Sequence, residues 1–417
     1  MMATQFSDLN ALCAWLDQSP TPHHVVRSAV VALTEAGFTE RSASTSALPP
    51  SGFVQREGLI IAWRMPTDAL RRFSVVGAHT DSPNLRVHPA PDIRSGSWHQ
   101  LGVEVYGGVL LNSWLDRDLG VAGAVVTKDG MHRLFNSGNA IARIPQLAIH
   151  LDRDVNDRGL LLDRHNHLRP IWATSPGTDF MSWLADCVGV RAADIASFDA
   201  QLFDVNPAAI IGADQSLLTS GRLDNQVSCW AAVDALIHAH ASEDICQVVA
   251  LFDHEEVGSA SPHGASGPAL ERVLRRLCST ATDDGWYDII DKSLFVSADN
   301  AHSLHPNYPE RHDAQHAPVV NGGPVLKMNV NQRYATTAST AAAIGLIAQQ
   351  ADVNLQHFVS RNNIPCGSTI GPIAATRIGI PTVDIGVAQL SMHSAREVCG
   401  AHDPTMLRNL LAAHLSR

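Results

Sequence analysis

Lysine is almost missing from this chain: Lys128, Lys292 and Lys327 are the only three in 417 residues, so nearly all of the 30 basic side chains are arginine. Acidic residues outnumber them at 41, for a net charge of −11. That balance excludes a partner held through a phosphate backbone, because such binding is largely electrostatic, and no nucleic-acid partner is expected. Charged residues make up 17% and hydrophobic ones 45%, a composition too apolar for a disordered chain. No stretch reaches the roughly 18 apolar residues of a membrane helix, and the amino terminus lacks a basic segment followed by an apolar one. No membrane partner follows, and a soluble, cytoplasmic protein is expected. The seven cysteines (13, 187, 229, 246, 278, 366 and 399) form no CxxC pair and are odd in number. A zinc ribbon or a complete disulfide framework is thereby excluded, and a reducing compartment fits. Internal repeats, low-complexity tracts and Pro-rich linkers are absent as well.

The length of 417 residues suits two or three compact units, or one large domain carrying an insertion. Ser7 is placed to cap a helix over 8–17, and Pro22 opens a second helix that stops near Gly37. Runs rich in β-branched residues at 59–63, 73–77, 247–252, 293–297 and 382–385 predict strands, with helical patterns at 225–240 and 337–350 between them. This alternation predicts an α/β fold with a mostly parallel central sheet flanked by helices. Residues 91–221 differ, with alternating segments such as 102–111 and 121–128 separated by Gly, Asp and Asn turns. They read as an inserted β-rich domain, leaving 1–90 and 222–417 for the other.

Several motifs place chemistry at strand ends. The strand expected at 73–77 leads into His79 and Asp81, and ligands in open α/β sheets bind at carboxyl ends of strands. A histidine there can ligate a metal, while a carboxylate two residues on can orient it. A strand-end turn with a capping Asp is the plain alternative, as is a helix N-cap for Asp224 in GRLDN (221–225). The run VVALFDHEEVG (248–258) delivers the adjacent carboxylates Glu255 and Glu256 from a buried-looking strand, which is costly unless cations or hydrogen bonds compensate; a solvated acidic loop is the alternative. It is not the HExxH helix of mononuclear zinc peptidases, since Gly258 stands where the second His would be. Asp299 ends another strand, and His393 lies in MHSARE (392–397).

One arrangement uses the whole inventory, and its two closely spaced divalent ions are most naturally zinc, with manganese or cobalt also able to serve. Asp224 bridges the ions, His79 and Asp299 complete one, and Glu256 and His393 complete the other. Glu255 takes the proton of a water held between them.

At this point the chain resembles the aspartyl aminopeptidase family of dinuclear zinc metallopeptidases. The resemblance is nearly full-length and rests on GAHTDSPNLRVHP (77–89), IPQLAIH (144–150), SGRLDNQVSC (220–229), DHEEVGSASPHGA (253–265), VSADNAHSLHPNY (296–308), LKMNVNQRYAT (326–336), NNIPCGSTIGP (362–372) and QLSMHSARE (389–397). It implies His79, Asp224, Glu256, Asp299 and His393 as metal ligands, Glu255 as general base and Asp81 as the residue that orients His79. It further implies that the insert is a dimerisation domain and that dimers build a tetrahedral homododecamer with active sites facing an inner chamber. His150 matches a family histidine that reaches a neighbouring subunit's active site; an interior histidine is the alternative.

The resemblance implies removal of amino-terminal Asp or Glu from peptides, which needs a cation near the substrate side chain. Lys327, between apolar neighbours, is the candidate, with Arg333 and Tyr334 close by; a structural ion pair with a carboxylate competes. Cys366 invites a nucleophile reading, but a thiol hydrolase needs a dedicated histidine, and the histidines suit metal better. An aminopeptidase with a neutral-residue preference, an amidohydrolase of small acylated substrates and a self-assembling scaffold with a structural metal are the rival functions.

Overall fold

A computed structural model describes residues 2–41, 48–278 and 282–417, with residues 2–7 described by their backbone alone. The first helix spans Met2–Gln18, so Ser7 lies inside it rather than at its start, and the Ser7 side chain falls outside the described residues. The second helix, Pro22–Glu35, is capped by Thr21, whose hydroxyl accepts from the His24 amide, with proline in the first turn where no amide is missed.

The largest sheet has nine strands. Its middle is four parallel strands in the order Ile245–Phe252, Arg72–His79, Leu294–Ala298 and Thr382–Gly386. Leu59–Arg64 joins one side antiparallel and Val325–Met328 the other. Thr39–Glu40, Ser51–Arg56 and Gln356–Val359 lie outside these. The sheet is therefore mixed: parallel at its centre, antiparallel where the flanking strands join.

Both faces of the central strands are covered, and every residue of Ile245–Phe252 is buried, as a parallel strand between helical layers requires. Alternate residues serve opposite faces. Val76, Ala78, Val249 and Leu251 pack with the helices Pro22–Glu35, Leu223–His238 and Asp403–Leu415, whereas Val75, Val248, Ala250 and Phe295 pack with Ala269–Leu277, Asp283–Asp291 and Ile370–Ile378.

A second, six-stranded sheet is antiparallel throughout, in the order His132–Asn136, Leu119–Thr127, Ile195–Asp204, Asn84–Ser95, Trp98–Tyr106 and Ile171–Ala173. It has its own apolar core, to which the helix Phe180–Val188 contributes Phe180 and Leu184. Its strands come from 84–204, while Ala209–Ile211 and Leu217–Ser220 join Ala301–His302, Ala388–Leu390 and Glu397–Gly400 in a five-stranded sheet. That small sheet pairs Ser220 with Glu397, which brings the segment around Asp224 beside His393. No helix among the described residues is long and apolar enough to cross a membrane.

Candidate metal centre

The parallel strands deliver their carboxyl ends to one place. His79 closes Arg72–His79, Asp253 follows Ile245–Phe252, and Asp299 follows Leu294–Ala298. Gly386, on the neighbouring strand, leaves no space for a side chain against the Asp299 backbone. Asp224 stands at the start of Leu223–His238 with non-helical backbone, and its carboxylate faces two histidines rather than the helix amides. The N-cap alternative therefore fails.

Asp224 occupies the centre of the cluster. Its Oδ1 lies 3.4 Å from His79 Nε2, and its Oδ2 lies 3.5 Å from His393 Nε2. Each histidine meets a second carboxylate: His79 Nε2 is 3.8 Å from Asp299 Oδ1, and His393 Nε2 is 3.4 Å from Glu256 Oε2. Ligand atoms of His79, Asp224 and Glu256 all fall within 4.8 Å of one another. These contacts exceed hydrogen-bond length, and Asp224 Oδ1, fully buried, has no hydrogen-bond partner among the described residues. A buried anionic oxygen without a donor is costly, and the nitrogen and oxygen donor set around it suits a divalent cation. The residues present therefore fit the metal that the sequence suggests.

Electrostatics agree. Burial opposes a charge on His79, yet Asp224, Asp299 and Asp81 outweigh it and push its pKa well above the ordinary value. His393 is likewise driven up to about 10, with Asp224 and Glu256 overcoming burial. Glu256 is pushed well up by burial and then by Asp224. Burial raises Glu255 to about 7, with further pressure from Asp299, Asp81 and Asp224. A field that holds protons on two histidines can hold a divalent cation in their place.

The supporting layer is hydrogen-bonded through the backbone. Asp81 Oδ1 lies 3.3 Å from His79 Nδ1, and the same nitrogen is 3.0 Å from the Asp81 carbonyl. Asp81 also accepts the amides of Glu255 and Glu256, each at 3.1 Å, which fixes the turn carrying both glutamates. Glu397, named in the sequence motif but given no role there, is fully buried and accepts from the Asp224 amide at 3.0 Å and the His393 amide at 2.7 Å. Its signal was position alone, four residues after His393. Ser82 donates its hydroxyl to the Asp224 carbonyl at 2.5 Å.

Lys327 is brought to the cluster, but from behind. Its ammonium is buried, donates to the Asn300 carbonyl at 3.1 Å, lies 3.6 Å from Asp299 Oδ2 and stands 5.0 Å from the centre of the Tyr334 ring. Arg333 donates to the Cys366 carbonyl at 3.3 Å and is exposed. His150 is exposed on the short turn Ile149–Leu151, so it is not an interior histidine, and it has no contact with the cluster among the described residues. Leu147, Ile149, Leu151 and Leu161 in the same stretch are exposed too. Beyond Tyr334, a pocket of about 250 Å³ is walled by His302, Arg311, His312 and Arg361.

The profile of the family described as aminopeptidase I zinc metalloprotease (M18) matches residues 15–414. A Streptomyces coelicolor protein named probable M18 family aminopeptidase 2 is 47% identical over 418 residues, spanning 97% of this chain and 96% of its own. A Mycobacterium tuberculosis protein of the same name is 45% identical over 424 residues, with 98% of both chains covered. Among solved structures, the cryo-EM structure of Ape4 with Nbr1 superposes at a TM-score of 0.96 with 34% identity, covering 100% of this chain and 86% of that one. The S. cerevisiae mApe1 dodecamer superposes at 0.85 with 26% identity, covering 97% of this chain and 95% of its own.

Proposed function

Because this chain belongs to the aminopeptidase I zinc metalloprotease family and is a zinc metallo-aminopeptidase, a hydrolase of peptide bonds, we propose that it releases amino-terminal Asp or Glu from peptides at a two-metal centre. The observation that carries this reading is the Asp224 carboxylate, whose two oxygens face two histidines, each backed by a further carboxylate.

His79 and Asp299 would hold one ion and His393 and Glu256 the other, with Asp224 placed to serve both. Divalent zinc bound there supplies Lewis acidity, polarising the scissile carbonyl and acidifying water. Glu255, held beside the centre by the hydrogen bond from its backbone amide to Asp81, takes the proton of the attacking water and returns it to the leaving amine. Asp81 keeps Nδ1 of His79 engaged, so that Nε2 faces the metal side.

Acid preference is supported by the pocket of Arg311, Arg361, His302 and His312, which shares Tyr334 with the cage around Lys327. His302, one wall of the pocket, lies close enough to feel the charges of Asp224 and His393. Arg311 and Arg361 meet the substrate carboxylate, while Lys327 supplies positive charge from behind Tyr334 and balances Asp299. His150 contributes from a neighbouring copy, consistent with its exposure on an apolar stretch. The insert at 91–221, which holds most of the six-stranded sheet, dimerises, and dimers assemble as a tetrahedral homododecamer, in line with the dodecameric neighbour. We place the protein in the cytoplasm, with its cysteines reduced.

Initial rates of zinc-loaded protein on matched dipeptides beginning with Asp, Glu, Leu or Lys, with a chelated control, test this. Chelator-sensitive release of Asp and Glu alone is expected. Release of Leu instead removes the acidic specificity, and release of none removes the aminopeptidase.

A further inference from the structure

Three consecutive residues at the end of the strand Trp98–Tyr106 touch three parts of the metal centre. Tyr106 donates its hydroxyl to Asp81 Oδ2 at 2.7 Å. Gly107, in left-handed backbone at φ +74°, lies so close to Glu256 that an added Cβ would stand 3.1 Å from the glutamate Cβ. Gly108 accepts from His393 Nδ1 at 3.0 Å. Tyr106 ends a strand of the antiparallel sheet and the two glycines follow it directly, so none of the three belongs to the central sheet that delivers the ligands.

Tyr106 has the most consequential of these contacts. A carboxylate offers about four lone-pair positions. In Asp81, Oδ1 accepts the Glu255 amide and lies 3.3 Å from His79 Nδ1, whereas Oδ2 accepts both the Glu256 amide and the Tyr106 hydroxyl. Asp81 is fully buried, so water cannot replace a lost donor. The tyrosine is itself held in place. The Arg86 guanidinium stacks 4.1 Å from its ring centre and donates to both oxygens of Asp199, at 3.1 and 3.0 Å, and Asp199 lies 3.4 Å from His23 Nε2. Side chains on three antiparallel strands and the second helix thus converge on one carboxylate oxygen.

We propose that Tyr106 is a positioning residue for the metal centre. By holding Asp81 Oδ2 it sets the carboxylate that orients both His79 and the Glu255–Glu256 turn, and so makes metal retention and turnover depend on the antiparallel sheet. The proposal rests on the reading of His79 as a metal ligand. Loss of a partner that orients a ligating histidine costs about 10–100-fold in metal affinity or activity.

The test compares full-length wild type, Tyr106→Phe, Arg86→Gln, Val103→Ala and His79→Ala. Zinc affinity is read by competition with a chromophoric chelator, kcat and KM with a cleaved dipeptide at saturating zinc, and melting temperature alongside. Tyr106→Phe binds zinc about 10–100-fold more weakly and turns over more slowly, with KM within about twofold of wild type. Arg86→Gln moves both in the same direction by less. Val103→Ala weakens the core of the same sheet without touching Asp81, and it leaves zinc affinity and kcat near wild type. Unchanged zinc affinity in Tyr106→Phe, or an equal loss in Val103→Ala, overturns the proposal. If Tyr106→Phe does not fold, unchanged affinity in Arg86→Gln overturns it instead. Zinc affinity kept by His79→Ala overturns the ligand reading, whereas its loss there with none in Tyr106→Phe removes only the role of Tyr106.

Discussion

Replacing Lys327 by methionine separates two roles for the single lysine near the metal centre. The side chain is 1% exposed, and its strand Val325–Met328 pairs antiparallel with Thr382–Gly386, which sets Lys327 opposite Asp384. Asp384 is also fully buried; burial raises its pKa and Lys327 pulls it back. On the other side, Asp299 Oδ2 lies 3.6 Å from the ammonium and the Asn300 carbonyl accepts from it at 3.1 Å. Methionine keeps the volume and removes the charge, so two buried carboxylates lose a counterion and one buried carbonyl loses its donor. Breaking a buried pair from one side costs about 3–5 kcal/mol. With about 2.1 cal/mol/K of unfolding entropy per residue, 417 residues convert that into a melting temperature lower by about 3–6 °C. Calorimetry of zinc-loaded wild type and Lys327→Met, with parallel rates on Asp and Leu dipeptides, reads both quantities. A variant that melts with wild type yet loses its preference for Asp over Leu refutes this reasoning and gives Lys327 the direct contact with substrate.

Glu255→Gln preserves size and keeps the backbone hydrogen bond to Asp81, so zinc content and assembly persist while kcat falls by about 10²–10⁴, the usual contribution of a general base; near-normal turnover eliminates that role. Acid weakens the fold through His414, which is buried beside the Val75 carbonyl and whose pKa burial lowers from 6.5 to about 4. Folded protein holds it neutral while the unfolded chain takes a proton, so stability is full above pH 6.5 and is lost as pH falls toward 4. By pH 5 the loss at this site is about 2 kcal/mol. Denaturant midpoints for wild type and His414→Gln at pH 7.5 and 5 check it, and equal losses in the two proteins contradict the assignment.

Much of this was legible in the chain because it is local. Strands such as Arg72–His79 and Ile245–Phe252 show as short apolar runs, since a strand buried on both faces needs little else, and the polar residues that end them mark where the sheet opens to ligands. Residue type likewise restricts the chemistry: adjacent carboxylates at a buried strand end call for cations. Mixed strand direction was not legible, because direction depends on which strands become neighbours, and Val325–Met328 meets Thr382–Gly386 only after more than fifty residues of intervening chain have folded. Nor could sequence tell that Lys327 would spend its charge on Asp299 and Asn300, that Glu397 would hold the amides of Asp224 and His393, or that Tyr106 of another sheet would close on Asp81. Apart from the bond between Glu397 and the His393 amide, those contacts join residues 25 to 173 positions apart. Sequence alone determined which groups were available to bind metal and move a proton. Only the tertiary structure decided which of them face one another, because a carboxylate acts through the few ångströms around it, and those are set by packing between distant segments.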